Sequence, residues 1–518
     1  MKHKNYLNKI SVIFCLGLTL NILPLGAQVN SGDLQVGKTL PRVLGLKDIH
    51  RYNLVLEKGQ FALLDIKQNG IDVIVHTFSP EGKEIESFDS PNGNDGHEMV
   101  LVDAAEEGTY QIEVRALGED KKRKRGKYQI QLVSVQNNIS EHLNITLSTL
   151  YGRGFITGFG VTILNERSLL YQRTQGYANL EKQQPYTTKT VQNNASISKT
   201  IIGISLMQLD AQGKFTMDTP INQLLPFPVN NPHFPNQPIT VGHLATHTST
   251  IKEDDFYEAA YLVDENASID QYVYHKAFAK AFRKAQKNEA MPLGDFLKAH
   301  LSEEGKAYKR ANFFKEIPGN NWYYSNVGAA LAAYIVETVS GMSYATYVTE
   351  NILHPLELES AGWYGQGRND FEVTQQYDVK GNPLPKKTII TYPDGEIYMN
   401  ILDLSKYLMT FMNASKGLDT GVLSSDVLQK MMEVQHQQVG GRFDGRKDGF
   451  FWEFRSGEVM GHSGGDYGVS ALMYFHPKSG LGFTYLCNMM PLESDYSNAM
   501  SRSIWAAVKR YAPYFVAP

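Results

Sequence analysis

The apolar pattern of this chain changes its period near residue 137, and this change constrains the fold more than any other feature. Before that point, short runs alternate apolar and polar side chains, as at Tyr110, Ile112 and Val114. Clusters rich in Gly, Pro and Asn separate the runs. Alternation with a period of two is typical of half-buried antiparallel strands. We therefore predict a small, separate all-β sandwich domain over residues 29–137.

The chain beyond a short polar linker mixes two periods. Ile202, Leu206 and Leu209 lie at i, i+4 and i+7, which places them on one face of a helix. The pattern predicts helices over 196–209, 326–339, 403–412 and 498–510, and strands over 159–164, 168–176, 457–460, 468–475 and 481–487. Strands at both ends with helices between them indicate an α+β domain over residues 145–518, whose two ends join one antiparallel sheet.

Length, charge and cysteine content limit the classes of protein that this chain can belong to. A chain of 518 residues is too long for one ordinary core, which fits two folded domains. The formal net charge of -4 offers no basic face for phosphates, so nucleic acid is not an expected partner. Cys15 and Cys487 are too few for a metal cluster or a disulfide framework. We expect Cys487 to be unpaired and buried.

Residues 1–27 have the composition of a secretory signal peptide. Three lysines give a positive start, residues 10–23 are mostly apolar, and Ala27 offers a small residue for cleavage. An uncleaved anchor is the alternative, but the apolar run is shorter than the roughly 20 residues that a span requires. We predict export to the periplasm or the cell exterior, with no stable membrane span once the peptide is removed.

Ser196 and Lys199 stand three residues apart at the start of a predicted helix. Residues with this spacing share a helix face, so the lysine lies one turn from the serine hydroxyl. Serine is a weak nucleophile until a base takes its proton, and a lysine whose pKa is lowered by burial can act as base or proton relay. A helix N-terminus also supplies free N–H groups where an oxyanion would form. The pattern alone is equally consistent with a capping serine and a surface lysine.

Two further motifs favour the catalytic interpretation of Ser196 and Lys199. Tyr324-Ser325-Asn326 stands at the start of the second predicted helix, and His462-Ser463-Gly464-Gly465 lies between two predicted strands. The order S-x-x-K, Y-x-N and H-x-G resembles the penicillin-recognising serine hydrolases, in particular their class C β-lactamase, D-aminopeptidase and family VIII esterase branch. The resemblance covers about residues 145–515 and includes the segments NNASISKT, ITVGHLATHTSTI and WYYSNVGAALA.

This resemblance implies a β-lactamase/transpeptidase-like fold, in which helices and a helical subdomain flank an antiparallel sheet. It also implies that Ser196 is the acylated nucleophile, with Lys199 as its proton partner. Tyr324 would pass the proton to the leaving group and then activate the deacylating water. Asn326 would bind a substrate carbonyl, and the backbone N–H groups of Ser196 and Gly465 would form the oxyanion hole. Neither a cofactor nor a metal is implied.

The sequence departs from the family pattern in its third motif and in one loop. The third motif is expected to line the substrate with His462, Ser463, Gly464 and Gly465. It begins with histidine where true β-lactamases carry lysine, and a mostly neutral imidazole holds a substrate carboxylate less firmly than a fixed cation. This favours esters or N-terminal amides over penicillins, although a protonated His462 would pair with a carboxylate. Thr250 stands where the family usually has glycine.

Two segments lie outside the motifs. The stretch 252–319 is long for the family. Three of its phenylalanines, Phe278, Phe282 and Phe296, stand among alternating charges, as in amphipathic helices that would cover the cleft. Residues 121–125, KKRKR, form a basic run within the predicted sandwich. We expect a solvated turn there, with contact to an anionic surface polymer as the alternative. The sandwich resembles the small β domain appended to many secreted bacterial peptidases.

Other candidate residues have simpler interpretations. His243 and His247 stand four apart, but no acidic residue lies between them as in the zinc motif H-E-x-x-H, so no metal site is predicted. The segment Tyr392–Asp394 is interpreted as a turn rather than as a catalytic group. Phe451 and Trp452 are expected in the core.

Together these residues predict an exported, metal-independent serine hydrolase that cleaves an ester or an amide through an acyl-enzyme on Ser196. The expected partner is a small ester, amide or peptide, such as a D-amino-acid peptide from cell-wall turnover. A true β-lactamase or a DD-carboxypeptidase is one alternative. Another is a non-catalytic protein that binds cell-wall peptides, although such a protein has no need for the proton-transfer residues Lys199 and Tyr324.

Overall fold

The structure is a computed structural model that describes residues 28–90, 92–118, 125–154, 156–253, 256–269, 276–364, 373–455, 458–489 and 495–515. Several predicted features lie outside the described residues: the signal peptide, most of the basic run 121–125, the side chain of Phe278, and the start of the strand predicted at 457–460. The chain divides into two compact units, with the boundary between Val135 and Gln136.

The N-terminal unit is built from strands, and no helix occurs among its described residues. The strands are β1 (Gln28–Asp33), β2 (Thr39–Gly45), β3 (Ile49–Leu56), β4 (Phe61–Asn69), β5 (Val73–Phe78), β6 (Glu84–Phe88), β7 (Asp95–Asp103), β8 (Gly108–Ala116) and β9 (Arg125–Gln136). They form a five-stranded sheet in the order β1-β3-β8-β5-β6 and a four-stranded sheet in the order β2-β9-β4-β7. Buried side chains from both sheets, including Tyr52, Ile66 and Val114, share one core. The predicted all-β fold of this region is confirmed.

The C-terminal unit is organised around a nine-stranded antiparallel sheet. The strands of the whole unit, including four outside this sheet, are β10 (Gly158–Leu164), β11 (Leu169–Asn179), β12 (Gln184–Pro185), β13 (Gln192–Asn193), β14 (Tyr261–Val263), β15 (Lys387–Ile389), β16 (Tyr398–Met399), β17 (His436–Gln437), β18 (Lys447–Gly449), β19 (Trp452–Arg455), β20 (Val459–Asp466), β21 (Val469–His476) and β22 (Leu481–Cys487). The large sheet has the order β12-β11-β10-β22-β21-β20-β19-β18-β17. Phe159 of β10 pairs with Cys487 of β22, so the two ends of the unit join one sheet, as predicted.

Helices cover both faces of this sheet. They are α1 (Ile139–Arg153), α2 (Ser198–Ala211), α3 (Val241–Ala245), α4 (Lys276–Ala285), α5 (Leu293–Leu301), α6 (Asn326–Ser340), α7 (Tyr344–Val348), α8 (Ile401–Ser415), α9 (Ser425–Met432) and α10 (Asp495–Tyr511). Thr484 of β22 shares a 3.1 Å hydrogen bond with Ser405 of α8, whereas its neighbour Phe483 packs on Trp505 of α10 with ring centroids 3.9 Å apart. Successive strand residues point to opposite faces, so α8 and α10 lie on opposite sides of the sheet.

The helices that position the candidate site are deeply buried or firmly capped. Every residue of α2 from 198 to 209 is buried. In α6, Ser325 Oγ accepts a hydrogen bond from the Gly328 N–H at 2.9 Å, and Gly341 ends the helix with a left-handed φ of 73°. The helix predicted over 326–339 is confirmed. Within the described ranges, none of the helices has both the length and the apolar character needed to cross a bilayer.

Residues predicted to be buried are found in the core. Cys487 is buried and unpaired. Phe451 and Trp452 are each 1% exposed, and the Trp452 ring packs on Phe411 of α8 with centroids 4.3 Å apart. These three predictions are confirmed.

The long segment 252–319 carries β14, α4 and α5, and it packs on a later part of the same unit. β14 pairs with β15 in an antiparallel ladder. Phe282 of α4 packs in a small apolar cluster with Leu384, and Phe296 of α5 packs with Ile390. Phe282 and Phe296 therefore anchor the segment to the chain around β15.

Candidate active site

A tight 3-10 turn, Ala195–Ile197, places Ser196 at the start of α2. Ala195 has a left-handed φ of 47°, a conformation that non-glycine residues adopt rarely and that clusters at functional sites. All residues from 191 to 200 are buried except Ser196. The α-helix itself begins at Ser198, slightly later than predicted, because the first turn tightens around the serine.

Ser196, Lys199 and Tyr324 come together in space, although the tyrosine lies 128 residues from the serine in sequence. Tyr324 OH donates to Ser196 Oγ at 2.7 Å, and Lys199 Nζ donates to the same oxygen at 3.1 Å. Hydrogen bonds to an oxygen that gains negative charge favour the charged form, most strongly when the donor is ionised. The structure therefore brings together the three residues that the sequence indicated for nucleophilic catalysis.

Lys199 is fully buried and makes three hydrogen bonds. Besides Ser196 Oγ, its Nζ donates to Asn326 Oδ1 at 2.6 Å and to the backbone oxygen of Asp394 at 2.7 Å. Burial by itself lowers the pKa of Lys199, but Tyr324, Asp394 and Glu253 raise it, and the net shift is upward. The expectation of a lowered pKa is therefore wrong, because Tyr324 and two carboxylates from distant segments face this lysine and together outweigh burial. In the structure its ammonium donates to the serine hydroxyl.

Glu253 is a site residue that the sequence interpretation missed. Its Oε2 accepts from Asn326 Nδ2 at 3.1 Å, and its Oε1 accepts from the Val327 N–H in the first turn of α6 at 3.3 Å. Burial raises the pKa of this carboxyl to about 8, although Lys199 opposes the rise. In sequence Glu253 belongs to the charged run KEDD, which is typical of a solvated loop. The only indication in the sequence that Glu253 belongs to the site is its position three residues after Thr250, where the HTST segment ends.

The turn Tyr392–Asp394, interpreted from sequence as structural, also contributes to the site. The Asp394 carboxylate lies 4.0 Å from Lys199 Nζ, and its Oδ1 accepts from Tyr257 OH at 2.9 Å. Burial raises the pKa of Asp394 to about 6, and Lys199 limits the rise. Because Tyr257 belongs to the segment 252–319, this insertion forms part of the wall beside the lysine.

The third motif lies within β20, not between two strands as the sequence predicted. β20 pairs with β21 to its end, but its pairing with β19 stops at Gly461. One backbone edge of residues 462–466 is therefore outside the strand ladder, the arrangement to which an extended peptide adds in other proteins. Gly464 packs on the nucleophile turn, since a Cβ built on it would lie 3.2 Å from Ser196 N. The predicted oxyanion donors, Ser196 and the exposed Gly465, thus belong to segments in contact.

His462 faces the protein interior. Its ring is 2% exposed, and its Nδ1 lies 2.6 Å from the backbone oxygen of Ser463. Burial lowers the pKa of this imidazole. Pairing with a substrate carboxylate requires an accessible and protonated ring, whereas this ring is buried and burial opposes its protonation. A half-exposed cation beside the motif is Arg455 of β19, which donates to Ser463 Oγ at 3.1 Å and to Glu453 Oε2 at 2.7 Å.

His243 and His247 serve capping and packing. His243 forms a capping box with Thr240 at the start of α3. The His247 ring lies 4.5 Å from the Tyr324 ring, and its Nδ1 accepts from the Ser325 N–H at 3.2 Å. His247 therefore packs against the Tyr324 ring and fixes the backbone of the next residue. In the part of the chain that the structure describes, no group of three His, Cys, Asp or Glu side chains is placed to hold a metal.

Comparison with known proteins identifies the family of this chain. A family model described as Beta-lactamase matches residues 143–503. The chain belongs to the β-lactamase family. The predicted family, fold and enzyme class, a serine hydrolase, are all confirmed.

Three proteins illustrate how this β-lactamase family member relates to others. Serine beta-lactamase-like protein LACTB, mitochondrial, of Homo sapiens is 30% identical over 214 residues, which are 35% of this chain and 39% of that protein. The octameric penicillin-binding protein homologue from Pyrococcus abyssi superposes with a TM-score of 0.55 at 24% identity, covering 71% of this chain and 77% of that one. A D-stereospecific amidohydrolase from Streptomyces sp. gives a TM-score of 0.50 at 21% identity, covering 70% and 97%.

This β-lactamase family member retains an unusual backbone at Thr250. The residue has a left-handed φ of 68°, the region that glycine adopts most readily. Its Oγ1 accepts from Asn231 Nδ2 at 2.8 Å, and Asn231 also donates to the backbone oxygens of Phe314 and Glu316. The buried amide thus fixes the loop in a conformation that threonine does not favour.

Proposed function

We propose that this hydrolase cleaves an ester or amide bond of a small substrate through an acyl-enzyme on Ser196. The observation that carries the proposal is the pair of donors on Ser196 Oγ, Tyr324 OH at 2.7 Å and Lys199 Nζ at 3.1 Å. Burying an ammonium costs free energy, and a protein that only bound peptides would gain nothing by directing it at a serine hydroxyl.

In the acylation step, Tyr324 as its phenolate takes the proton of Ser196 while Oγ bonds to the substrate carbonyl carbon. Burial raises the pKa of Tyr324 above its ordinary value, and the Lys199 ammonium opposes this rise without reversing it. The phenol that donates to Ser196 Oγ is therefore the resting form, and the phenolate that starts acylation is the minor form. The carbonyl oxygen gains the negative charge and accepts from the N–H groups of Ser196 and Gly465. Each such donor is worth about 2.7–4 kcal/mol in other serine hydrolases.

Collapse of the tetrahedral intermediate re-forms the carbonyl and breaks the bond to the leaving group. Tyr324 returns its proton to the departing alcohol or amine. A water molecule then attacks the acyl-enzyme, and Tyr324 accepts the proton of that water. The acid leaves as Ser196 Oγ regains a proton, which restores the starting state.

We propose amides or esters of D-amino acids, such as cell-wall peptides, as the substrate class. The name of the structurally similar D-stereospecific amidohydrolase supports this class. The open edge of β20 at residues 462–466 supports a peptide, because backbone groups there can pair with an extended chain. A hydrolysis panel of p-nitrophenyl esters and of D- and L-alanyl amides tests the proposal, and equal rates on both amide enantiomers would contradict it.

Covalent labelling tests the nucleophile directly. A fluorophosphonate probe should add one adduct to the wild-type protein by intact mass, and Ser196→Ala should abolish both the adduct and turnover. Ser205→Ala is a matched control, because it removes another buried hydroxyl of α2 that donates to Ile201 O. A wild-type protein that hydrolyses nothing in the panel and takes no label would favour the non-catalytic binder.

Arg455 favours a second candidate, a carboxypeptidase or β-lactamase acting on substrates with a terminal carboxylate. Its half-exposed guanidinium lies on Ser463 of the third motif, where a fixed cation holds such a carboxylate bidentately. Arg455→Gln should raise KM for D-alanyl-D-alanine peptides about tenfold or more while leaving KM for a neutral p-nitrophenyl ester unchanged. Equal effects on both substrates would exclude this carboxylate site.

We also propose that the enzyme acts in the periplasm or outside the cell. The lysine-rich start and apolar run of residues 1–27 support export. Cell fractionation followed by N-terminal sequencing of the mature protein tests this, and activity confined to the cytosolic fraction would refute it.

A further inference from the structure

The side-chain amide of Asn326 is held between two charged groups. Its Oδ1 accepts from Lys199 Nζ at 2.6 Å, and its Nδ2 donates to Glu253 Oε2 at 3.1 Å. The other oxygen of Glu253 accepts from the Val327 N–H at 3.3 Å. The amide therefore links the ammonium to the carboxylate in one chain of hydrogen bonds.

The chemistry of the three groups allows one orientation of this amide. An asparagine presents an acceptor on one side and donors on the other, and a half-turn of the amide exchanges them. Lys199 requires the acceptor, because an ammonium only donates. A carboxylate only accepts, so Glu253 pairs with the NH2 side of Asn326 and leaves the amide oxygen facing the lysine. A protonated Glu253, or a glutamine in its place, would carry a donor and would favour the reversed amide.

We infer that Glu253 is a positioning residue, whose carboxylate fixes the Asn326 amide and thereby holds the Lys199 ammonium against Ser196. The effect of Glu253 on rate rests on the proposed acyl-enzyme mechanism. The orientation of the amide does not, because it follows from hydrogen bonding alone.

The surroundings of Glu253 make its role dependent on pH. The titratable groups that face it are Lys199 of α2, Asp394 of the neighbouring turn and Tyr257, with the first turn of α6 completing the site. Burial raises the pKa of Glu253 to about 8, Lys199 lowers it and Asp394 raises it. Protonation at lower pH releases the amide, so kcat/KM should rise as the pH increases through about 8.

Glu253→Gln tests this inference, since it keeps the shape of the side chain but removes the charge and adds a donor. We expect kcat/KM for a neutral p-nitrophenyl ester to fall about 10- to 100-fold, as for a lost charge-assisted hydrogen bond, and the rise near pH 8 to vanish. Glu258→Gln in the same segment is the matched control, because Glu258 is exposed and pairs with Lys284 at 2.8 Å. A wild-type rate and pH profile in Glu253→Gln would overturn the inference.

The double variant E253Q/N326D restores the pattern of donors and acceptors with the two side chains exchanged. The introduced glutamine donates to one oxygen of the introduced aspartate, and the other aspartate oxygen accepts from Lys199. We expect the double variant to be faster than Glu253→Gln on the small ester, with its rise in activity moved well below pH 8. Because Asn326→Asp also removes the amide that the family resemblance assigns to substrate binding, kcat is compared and not KM. A kcat no higher than that of Glu253→Gln would contradict a role through the amide.

Nuclear magnetic resonance of protein labelled with ¹⁵N-asparagine gives a readout that needs no turnover. The Asn326 side-chain NH2 signal, assigned by its loss in Asn326→Asp, should titrate near pH 8 in the wild type and not in Glu253→Gln. That titration without fluorophosphonate labelling of Ser196 would refute the proposed function and support the positioning role. Labelling without that titration would refute the positioning role alone. If Glu253→Gln does not fold, the wild-type titration and the double variant still test the positioning role of Glu253.

Discussion

Replacing Gly464 with alanine should separate the third motif from the nucleophile. The new Cβ would lie 2.3 Å from the backbone oxygen of Asn194 and 3.2 Å from both Ala195 Cβ and Ser196 N, whereas real Cβ atoms essentially never come within 3.0 Å of such neighbours. The closest neighbour is backbone and cannot rotate away. β20 or the nucleophile turn must therefore shift by roughly 0.7 Å or more.

The size of this shift sets the expected loss of activity. A misplacement of about 1 Å costs on the order of 100-fold in rate. A lost oxyanion donor costs about 100- to 1,000-fold in kcat. We expect kcat of Gly464→Ala on a p-nitrophenyl ester to fall by about 100-fold or more, because Ser196 and Gly465 no longer face the same oxygen. The strain should also lower the free energy of unfolding by about 1–3 kcal/mol.

Steady-state kinetics and urea denaturation of matched variants test this expectation. Gly152→Ala in α1 is the control, because a Cβ there has no heavy atom within 4 Å and alanine favours a helix by about 1 kcal/mol. We expect wild-type kcat and equal or higher stability in the control. A Gly464→Ala enzyme with wild-type kcat and KM would refute the contact between β20 and the nucleophile turn as a requirement for catalysis.

Three further predictions concern other parts of the chain. Tyr257→Phe removes the hydroxyl that donates to the buried Asp394, so urea denaturation should show a loss of about 1–3 kcal/mol, and an unchanged midpoint would contradict that role. A chain of residues 136–518 should hydrolyse p-nitrophenyl esters at the wild-type rate, because the proposed site lies wholly in the C-terminal unit; a folded but inactive product would count against this. Burial raises the pKa of Glu98 in the sandwich from 4.5 to about 7, so the folded N-terminal unit binds this proton more tightly than the unfolded chain. Its stability should therefore fall by up to roughly 3 kcal/mol as the pH rises from about 4.5 to about 7, and thermal melts that stay flat over this window would refute the shift.

The parts of the fold that depend on local signals could be predicted from the sequence. The second helix of the site is an example, because Ser325 caps its start, Gly341 ends it, and both signals act within one turn of the chain. The positions of Ser196 and Lys199 follow in the same way from the spacing of residues on one helix. Alternation identified the sandwich strands, since each strand has one buried face.

The electrostatics of the site could not be predicted, because they depend on contacts between distant segments. The direction of the Lys199 pKa shift is set by Tyr324, Asp394 and Glu253 together, and nothing near the lysine in sequence indicates either carboxylate. Glu253 resembles a surface residue until the fold places it against α6. His462 is buried within β20, and its inward orientation depends on the register of that strand in the sheet.

Because β10 is hydrogen-bonded to β22, the centre of the catalytic sheet cannot close until residues near Cys487 have left the ribosome. These partners lie roughly 300 residues apart, and native contacts of such high order slow folding. Ser196 thus emerges long before the strand that completes its oxyanion hole. A nascent chain that ends before Gly465 therefore lacks one of the two predicted oxyanion donors and cannot form the complete site.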